Sequence, residues 1–214
     1  MDKEQQSQAS RKRPRIESVF AEGLILASSS PRRSEILQTA GWPFSVFPVD
    51  VDETRHDGEE AEAYVQRLAE TKAMAAVRCS EAGLFVGADT IVLLNGEIMG
   101  KPIDDEDARR MIGALQGQWH QVLTGVALVR KGGRSDLRVA YESTKVRFSE
   151  MTEEEIEWLV NNGSPLDKAG AYAVQGHAAL FIEEIAGDYW NVVGLPLQLL
   201  YRLAISMSEH DPGA

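Results

Sequence analysis

"LFVGADTIVLLNG", residues 84–96, decides the fold class. The run from Leu84 to Leu94 is apolar and rich in β-branched residues. It ends at Asn95-Gly96, a pair favoured in tight hairpin turns because both positions need positive φ. The stretch therefore predicts a buried strand that turns back on itself. Asp89 interrupts it, and an unpaired carboxylate is costly in a core. Period-two alternation puts Asp89 on the face opposite Val86, Ala88 and Thr90. It either caps a turn or pairs with a buried cation as a structural group, or it serves as a chemical group in a cleft. Gly87 beside it leaves room for a ligand or another chain segment to come close.

Outward from this strand, apolar runs alternate with amphipathic patterns. "LILAS" (24–28) reads as a buried strand, followed by a helix from Pro31 to about Ala40. "FSVFPV" (44–49) reads as a strand and residues 59–78 as a long helix. Downstream come a helix over 104–116 and two long strands, "HQVLTGVALVR" (120–130) and "LRVAYESTKVRF" (137–148), joined at "KGG" as an antiparallel pair. A helix over 152–161 follows, then short strands in "AYAVQ", "ALFIEEI" and "WNVVG", and a last helix over 196–206. Mixed order of this kind predicts an α/β protein with a mixed sheet flanked by helices. No repeat or linker divides 21–207, which reads as one domain. Residues 1–20 read as a disordered basic arm and 208–214 as a flexible tail. "RKRPR" (11–15) is either a solvated arm or a nuclear-import patch.

The chain has 214 residues, 43% hydrophobic and 26% charged, with a formal net charge of −11. So acidic a surface repels nucleic-acid backbones and argues against a nucleic-acid partner. An anionic ligand then needs a local cationic pocket, and a metal ion would help. Cys79 is the one cysteine, so no intrachain disulfide forms and a reducing compartment fits. No apolar stretch reaches membrane-span length, and the N-terminus lacks a signal-peptide core. These features predict a cytoplasmic protein without a membrane partner.

Several side chains look chemical. In "ASSSPRRSEIL", Ser30 suits an N-cap and Pro31 the first helical position. Arg32 and Arg33 then fall at the positive end of a helix, where cations are disfavoured unless an anion binds there. The alternative is a capped helix with two solvated arginines. Lys72 shares the apolar stripe of Val65, Leu68, Ala75 and Ala76, so it either snorkels to the edge or points into a polar cleft. Asp50, Asp52 and Glu53 follow a strand, either as solvated surface or as oxygen ligands for Mg²⁺ or Mn²⁺. "GEIMGKP" fails as a phosphate loop, with Asn95 in place of glycine and Pro102 in place of Ser or Thr. Lys101 is nonetheless a rigidly placed cation. "DKAGAYAVQG" brings Asp167, Lys168 and Gln175 among small residues, and Gln175 suits either a base edge or neighbouring backbone. The four histidines show no metal spacing, and no GxSxG nucleophile elbow exists. Cys79 falls on a predicted helix with no motif around it. Carboxylates plus cations suit metal-assisted attack of water on phosphate.

In this order, "ASSSPRRSEIL", "DET", "TKA", "GADTIV", "GKP", "LTG", "PLDKAGAYAVQG" and "NVVGLPL" resemble the Maf family of nucleoside triphosphate pyrophosphatases. The resemblance runs from about Leu24 to Leu203. It implies an elongated sheet in two lobes with a cleft between them, and a divalent metal, Mg²⁺ or Mn²⁺, held by Glu53 and Asp89. It further implies that Asp89 is the proton acceptor, and that Ser28, Arg32, Glu53, Lys72 and Lys101 form the phosphate and metal set. Arg33, Thr90 and Gln175 match the subgroup that prefers dTTP and UTP over 7-methyl-GTP, and a homodimer is implied by the resemblance alone. "AVQG" departs from the more usual "GIQG", and Ser29 replaces a glycine. Two other readings stand beside this one: a purine-directed ITP/XTP pyrophosphatase, and a nucleotide-binding regulator of cell division with little turnover.

Overall fold

The computed structural model describes residues 19–80, 82–132 and 136–208. The basic patch at 11–15 and the tail from 209 lie outside them. Seven strands form one mixed sheet: β1 (Leu24–Leu26), β2 (Phe44–Val46), β3 (Gly83–Leu94), β4 (Glu97–Met99), β5 (Trp119–Lys131), β6 (Asp136–Phe148) and β7 (Ile182–Ala186). Their order is β2-β1-β3-β5-β6-β7, with β4 paired to β3. β2, β1 and β3 run parallel, whereas β3, β5, β6 and β7 alternate in direction. The expected β3–β4 hairpin forms, with Asn95 at φ 52° and Gly96 at φ 86°.

Among the described residues, six α-helices flank the sheet: α1 (Pro31–Ala40), α2 (Ala61–Val77), α3 (Asp105–Leu115), α4 (Glu153–Gly163), α5 (Tyr189–Val193) and α6 (Leu197–Ser208). Position along β3 separates two cores on one face of the sheet. Leu84, Val86 and Ala88 pack with Ile36 and Leu37 of α1 and Leu199 and Leu200 of α6. Farther along the same long strands, Val92, Val122, Val146 and Phe148 pack with Ala108 and Ile112 of α3 and Leu159 of α4. These two cores are the two lobes, and β3, β5 and β6 run through both.

The opposite face of β3 carries α2. A Cβ on Gly87 would stand 2.2 Å from the Ala69 carbonyl oxygen, and one on Gly125 would stand 2.1 Å from that of Val65. The chain that Gly87 admits is therefore a helix, which lies almost on the strand backbones. Ala69 and Ala73 are the small residues at that contact. Lys72, on the same side of α2, is brought over Asp89, the residue opposite Gly125 in the β3–β5 register.

Three local readings are corrected. "AYAVQ" is not a strand: Gly170 (φ 67°) and Ala171 (φ 64°) are left-handed and break extension, so a 3₁₀ turn over Ala169–Ala171 and further turns replace it. "WNVVG" is not a strand either. The Asp188 carboxylate accepts from the backbone N–H groups of Trp190 and Asn191 and caps the short helix α5. Cys79 lies in the turn after α2 rather than on it.

Candidate active site

The cleft between the lobes is a cavity of about 590 Å³, a size suited to a nucleotide-sized ligand. The nine side chains that the resemblance assigns to the site, Ser28, Arg32, Arg33, Glu53, Lys72, Asp89, Thr90, Lys101 and Gln175, all line it. Asp167 and Lys168 line it too, whereas Asp50 and Asp52 do not. The Asp52 carboxylate instead accepts from the Thr54 N–H in its own loop. The lining holds five cations against three carboxylates. In a chain of net charge −11 this is the local reversal that an anionic ligand requires.

On one wall, Lys72 Nζ stands 2.6 Å from Asp89 Oδ1 and 2.7 Å from Glu53 Oε1. Lys72 and Asp89 are buried, and Glu53 is half exposed. Lys72 does not snorkel; it bridges the two carboxylates. Burial pushes the Glu53 carboxyl up. The hydrogen bond and charge of Lys72, with the charges of Lys101 and Arg33, outweigh that and hold it below its ordinary value. Each carboxylate keeps one oxygen outside this bridge.

The other wall is the start of α1. Its first turn contains no acid, and the hydroxyl of Ser30 makes no cap bond. Ser30 occupies the N-cap position, but the expected bond is replaced by one from its N–H to Ser28 Oγ, at 3.2 Å. Neither arginine is simply solvated. Arg33 is buried and donates from Nε to the Gly194 carbonyl (2.9 Å), from one Nη to Ser28 Oγ (2.9 Å) and from the other to Thr90 Oγ1 (3.2 Å). Burial lowers its pKa, and no carboxylate pairs with it among the described residues. Arg32 reaches across the cleft and donates to the Asp167 carboxylate (3.2 Å) and carbonyl (3.3 Å). Asp167 also takes a bond from Lys168.

Gln175 is exposed in a turn, not in the strand-like run expected for it. Beside it the cavity is walled by Val92, Val122, Tyr172, Ala173 and Val192. Sequence reasoning gave no role to Thr124, Asn191, His120 or Tyr172. Thr124 is fully buried behind Thr90, at 3.0 Å. His120 is buried behind Tyr172, its Nε2 2.7 Å from the phenol oxygen. The available signal was the presence of Thr124 and Asn191 in "LTG" and "NVVGLPL".

Among the described residues no group of three His, Cys, Asp or Glu side chains can hold a metal alone. Glu53 and Asp89 nonetheless suit Mg²⁺ or Mn²⁺. Two hard oxygen donors, each with a free oxygen, are what such an ion takes from protein when phosphate oxygens supply the rest. No described helix is long and apolar enough to cross a membrane.

The family model described as Maf-like protein matches residues 23–207. The chain is 52% identical to the dTTP/UTP pyrophosphatase of Symbiobacterium thermophilum, over 81% of this chain and 88% of that one. It is 48% identical to the dTTP/UTP pyrophosphatase of Anaeromyxobacter sp. over 89% and 94% of the two chains. Against that of Yersinia pestis the identity is 49%, over 84% and 90%. Among solved structures, the Staphylococcus aureus Ham1 protein aligns with 87% of this chain and 99% of its own, at 16% identity and a TM-score of 0.47.

Proposed function

The chain belongs to the Maf-like protein family, and from that premise we propose that it hydrolyses dTTP and UTP to the monophosphate and pyrophosphate, clearing nucleotide pools. Relatives about half identical to it over most of its length carry the name dTTP/UTP pyrophosphatase. One observation carries the reading to this chain: a buried carboxylate, Asp89, stands inside a cavity whose cations outnumber its carboxylates. The substrate is taken free in solution, not as part of a nucleic acid or at a membrane, and the assembly is a homodimer.

Asp89 acts as the base. Lys72 holds Oδ1 and so turns the other oxygen toward the reacting water. That oxygen takes the proton as the water oxygen attacks the α-phosphorus. The bond to the bridging oxygen breaks, and pyrophosphate leaves with the electron pair. Lys101 and Arg32 stabilise the charge that gathers on the leaving group. Arg32 must exchange Asp167 for phosphate to do so, and exposed pairs of this kind are weak enough to exchange. A divalent metal ion held by Glu53 and phosphate oxygens would neutralise the triphosphate and polarise the phosphoryl group, leaving the free oxygen of Asp89 for the proton. Arg33 is oriented by Ser28, Gly194 and Thr90, and with Thr90 and Gln175 it selects the pyrimidine nucleotide.

The test is a product assay with Mn²⁺ and dTTP, UTP, 7-methyl-GTP and ITP. The reading requires pyrophosphate from dTTP and UTP in preference to the other two. Orthophosphate without pyrophosphate refutes the reaction, and a preference for 7-methyl-GTP or ITP refutes the substrate class.

A further inference from the structure

We infer that Thr124 is a positioning residue for nucleotide selection, acting through Thr90 on Arg33. The inference rests on the reading of Arg33 and Thr90 as selectors. Thr124 is 0% exposed and does not line the cavity. Its hydroxyl donates to the Asn191 carbonyl at 3.1 Å. A hydroxyl has one proton, so at the 3.0 Å contact with Thr90 the Thr124 oxygen must accept and Thr90 must donate. Thr90 has then spent its own proton, and its oxygen accepts from the Arg33 guanidinium at 3.2 Å.

The direction of this chain is fixed at both ends. A guanidinium only donates and a carbonyl only accepts, so the order Arg33, Thr90, Thr124, Asn191 gives each of these donors an acceptor within 3.2 Å, whereas the reverse order sends the Thr90 proton 3.5 Å to the Gly194 carbonyl that already takes Arg33 Nε. Asn191 is itself pinned: its side-chain N–H₂ donates to the Val122 carbonyl (2.9 Å) and to Thr144 Oγ1 (3.0 Å). The anchor therefore lies on β5, β6 and α5 rather than in the cavity.

Without the Thr124 oxygen, the remaining acceptor for the Thr90 proton is the Gly194 carbonyl, 3.5 Å away. That carbonyl already takes Arg33 Nε. Thr90 and Arg33 would then compete for one acceptor, and the guanidinium would lose its fixed plane. The hydroxyl is what matters, not the methyl. Thr124→Val removes the acceptor at nearly constant shape, while Thr124→Ser keeps it.

The experiment has two arms on the full chain. Without ligand, the Arg33 Nη resonances are followed by NMR. Wild type and Thr124→Ser should show slow rotation about the Cζ–Nε bond, whereas Thr124→Val should show fast rotation. With substrate, Thr124→Val should lose about 5–10-fold of the preference for dTTP over 7-methyl-GTP, chiefly through KM, with Thr124→Ser restoring it. Thr144→Val is the control for a purely structural effect, because Thr144 holds α5 from the far side of Asn191. It should lower the melting temperature and leave the Arg33 signals alone. Unchanged Arg33 signals in Thr124→Val overturn the inference, as does a Thr124→Ser variant as impaired as Thr124→Val, or a Thr144→Val variant that mobilises Arg33 equally. The NMR arm decides without turnover. Wild type inactive on dTTP would remove the substrate reading, while the NMR result still stands or falls alone.

Discussion

Two buried cations line the cleft under opposite electrostatic conditions. Lys72 on α2 touches two carboxylates, Asp89 and Glu53. Arg33 on α1 touches three neutral oxygens and pairs with no carboxylate among the described residues. Burial does not distinguish them, since each is 9% exposed. Their partners do. The Lys72 charge is already compensated, and its work is to hold two carboxylates in place. The Arg33 wall carries a desolvated positive charge that no carboxylate touches, though Asp89 and Glu53 act on it at a distance, at a helix start with no acid and no side-chain cap. The charged substrate thus completes one wall and is processed at the other.

Removing the base should have the largest effect. Asp89→Asn is expected to lower kcat about 10³-fold, the usual scale for a lost general base, while dTTP still binds. Turnover within tenfold of wild type would end the base assignment. Next comes the contrast itself, read as ligand-free stability. Lys72→Met leaves a buried carboxylate without its cation and should cost about 3 kcal/mol by denaturant unfolding. Arg33→Met removes a desolvated charge that touches no carboxylate but also orphans three oxygens, and should cost less than Lys72→Met, about 1–2 kcal/mol. Equal stability losses in the two variants would erase the distinction.

His120 extends the comparison with a third outcome, a buried base that stays neutral. Burial lowers its pKa from 6.5 to about 4. Between those values the unfolded chain binds the proton and the folded one does not. The stability contribution is therefore complete above pH 6.5 and is lost as pH falls toward 4, by about 3 kcal/mol in total. His120→Gln should flatten that part of the profile, and an unaltered slope would count against the burial argument. The smallest effect on stability belongs to Arg32, whose exposed pair with Asp167 should contribute under about 1 kcal/mol. Arg32→Ala should instead slow every nucleotide alike, whereas Arg33→Lys should blur the preference among them. Identical behaviour of the two variants would remove their division of labour.

The sequence made much of this legible, for physical reasons. Pro31 marks the start of α1, and Asn95-Gly96 marks the hairpin, because those residues fit backbone conformations that others resist. Asp89 and Lys72 stood out as charges on apolar faces, and the structure brings them together. By residue type Glu53 was indistinguishable from Asp52, and only the family resemblance separated them; the fold turns one into the cleft and leaves the other in its loop. The segments misread as strands, "AYAVQ" and "WNVVG", have strand-like composition. They are overruled by left-handed residues at 170 and 171 and by a cap from Asp188. Thr124 was invisible because a threonine in an apolar strand is ordinary there. Its role comes from Thr90 and Asn191, which only the folded chain brings beside it.

The central claim is that water activated at Asp89 attacks the α-phosphorus. Hydrolysis of dTTP in H₂¹⁸O tests it most directly, with both products analysed by mass. The account predicts ¹⁸O in the dTMP and unlabelled pyrophosphate. Label in the pyrophosphate, or dTDP and orthophosphate as products, would contradict it.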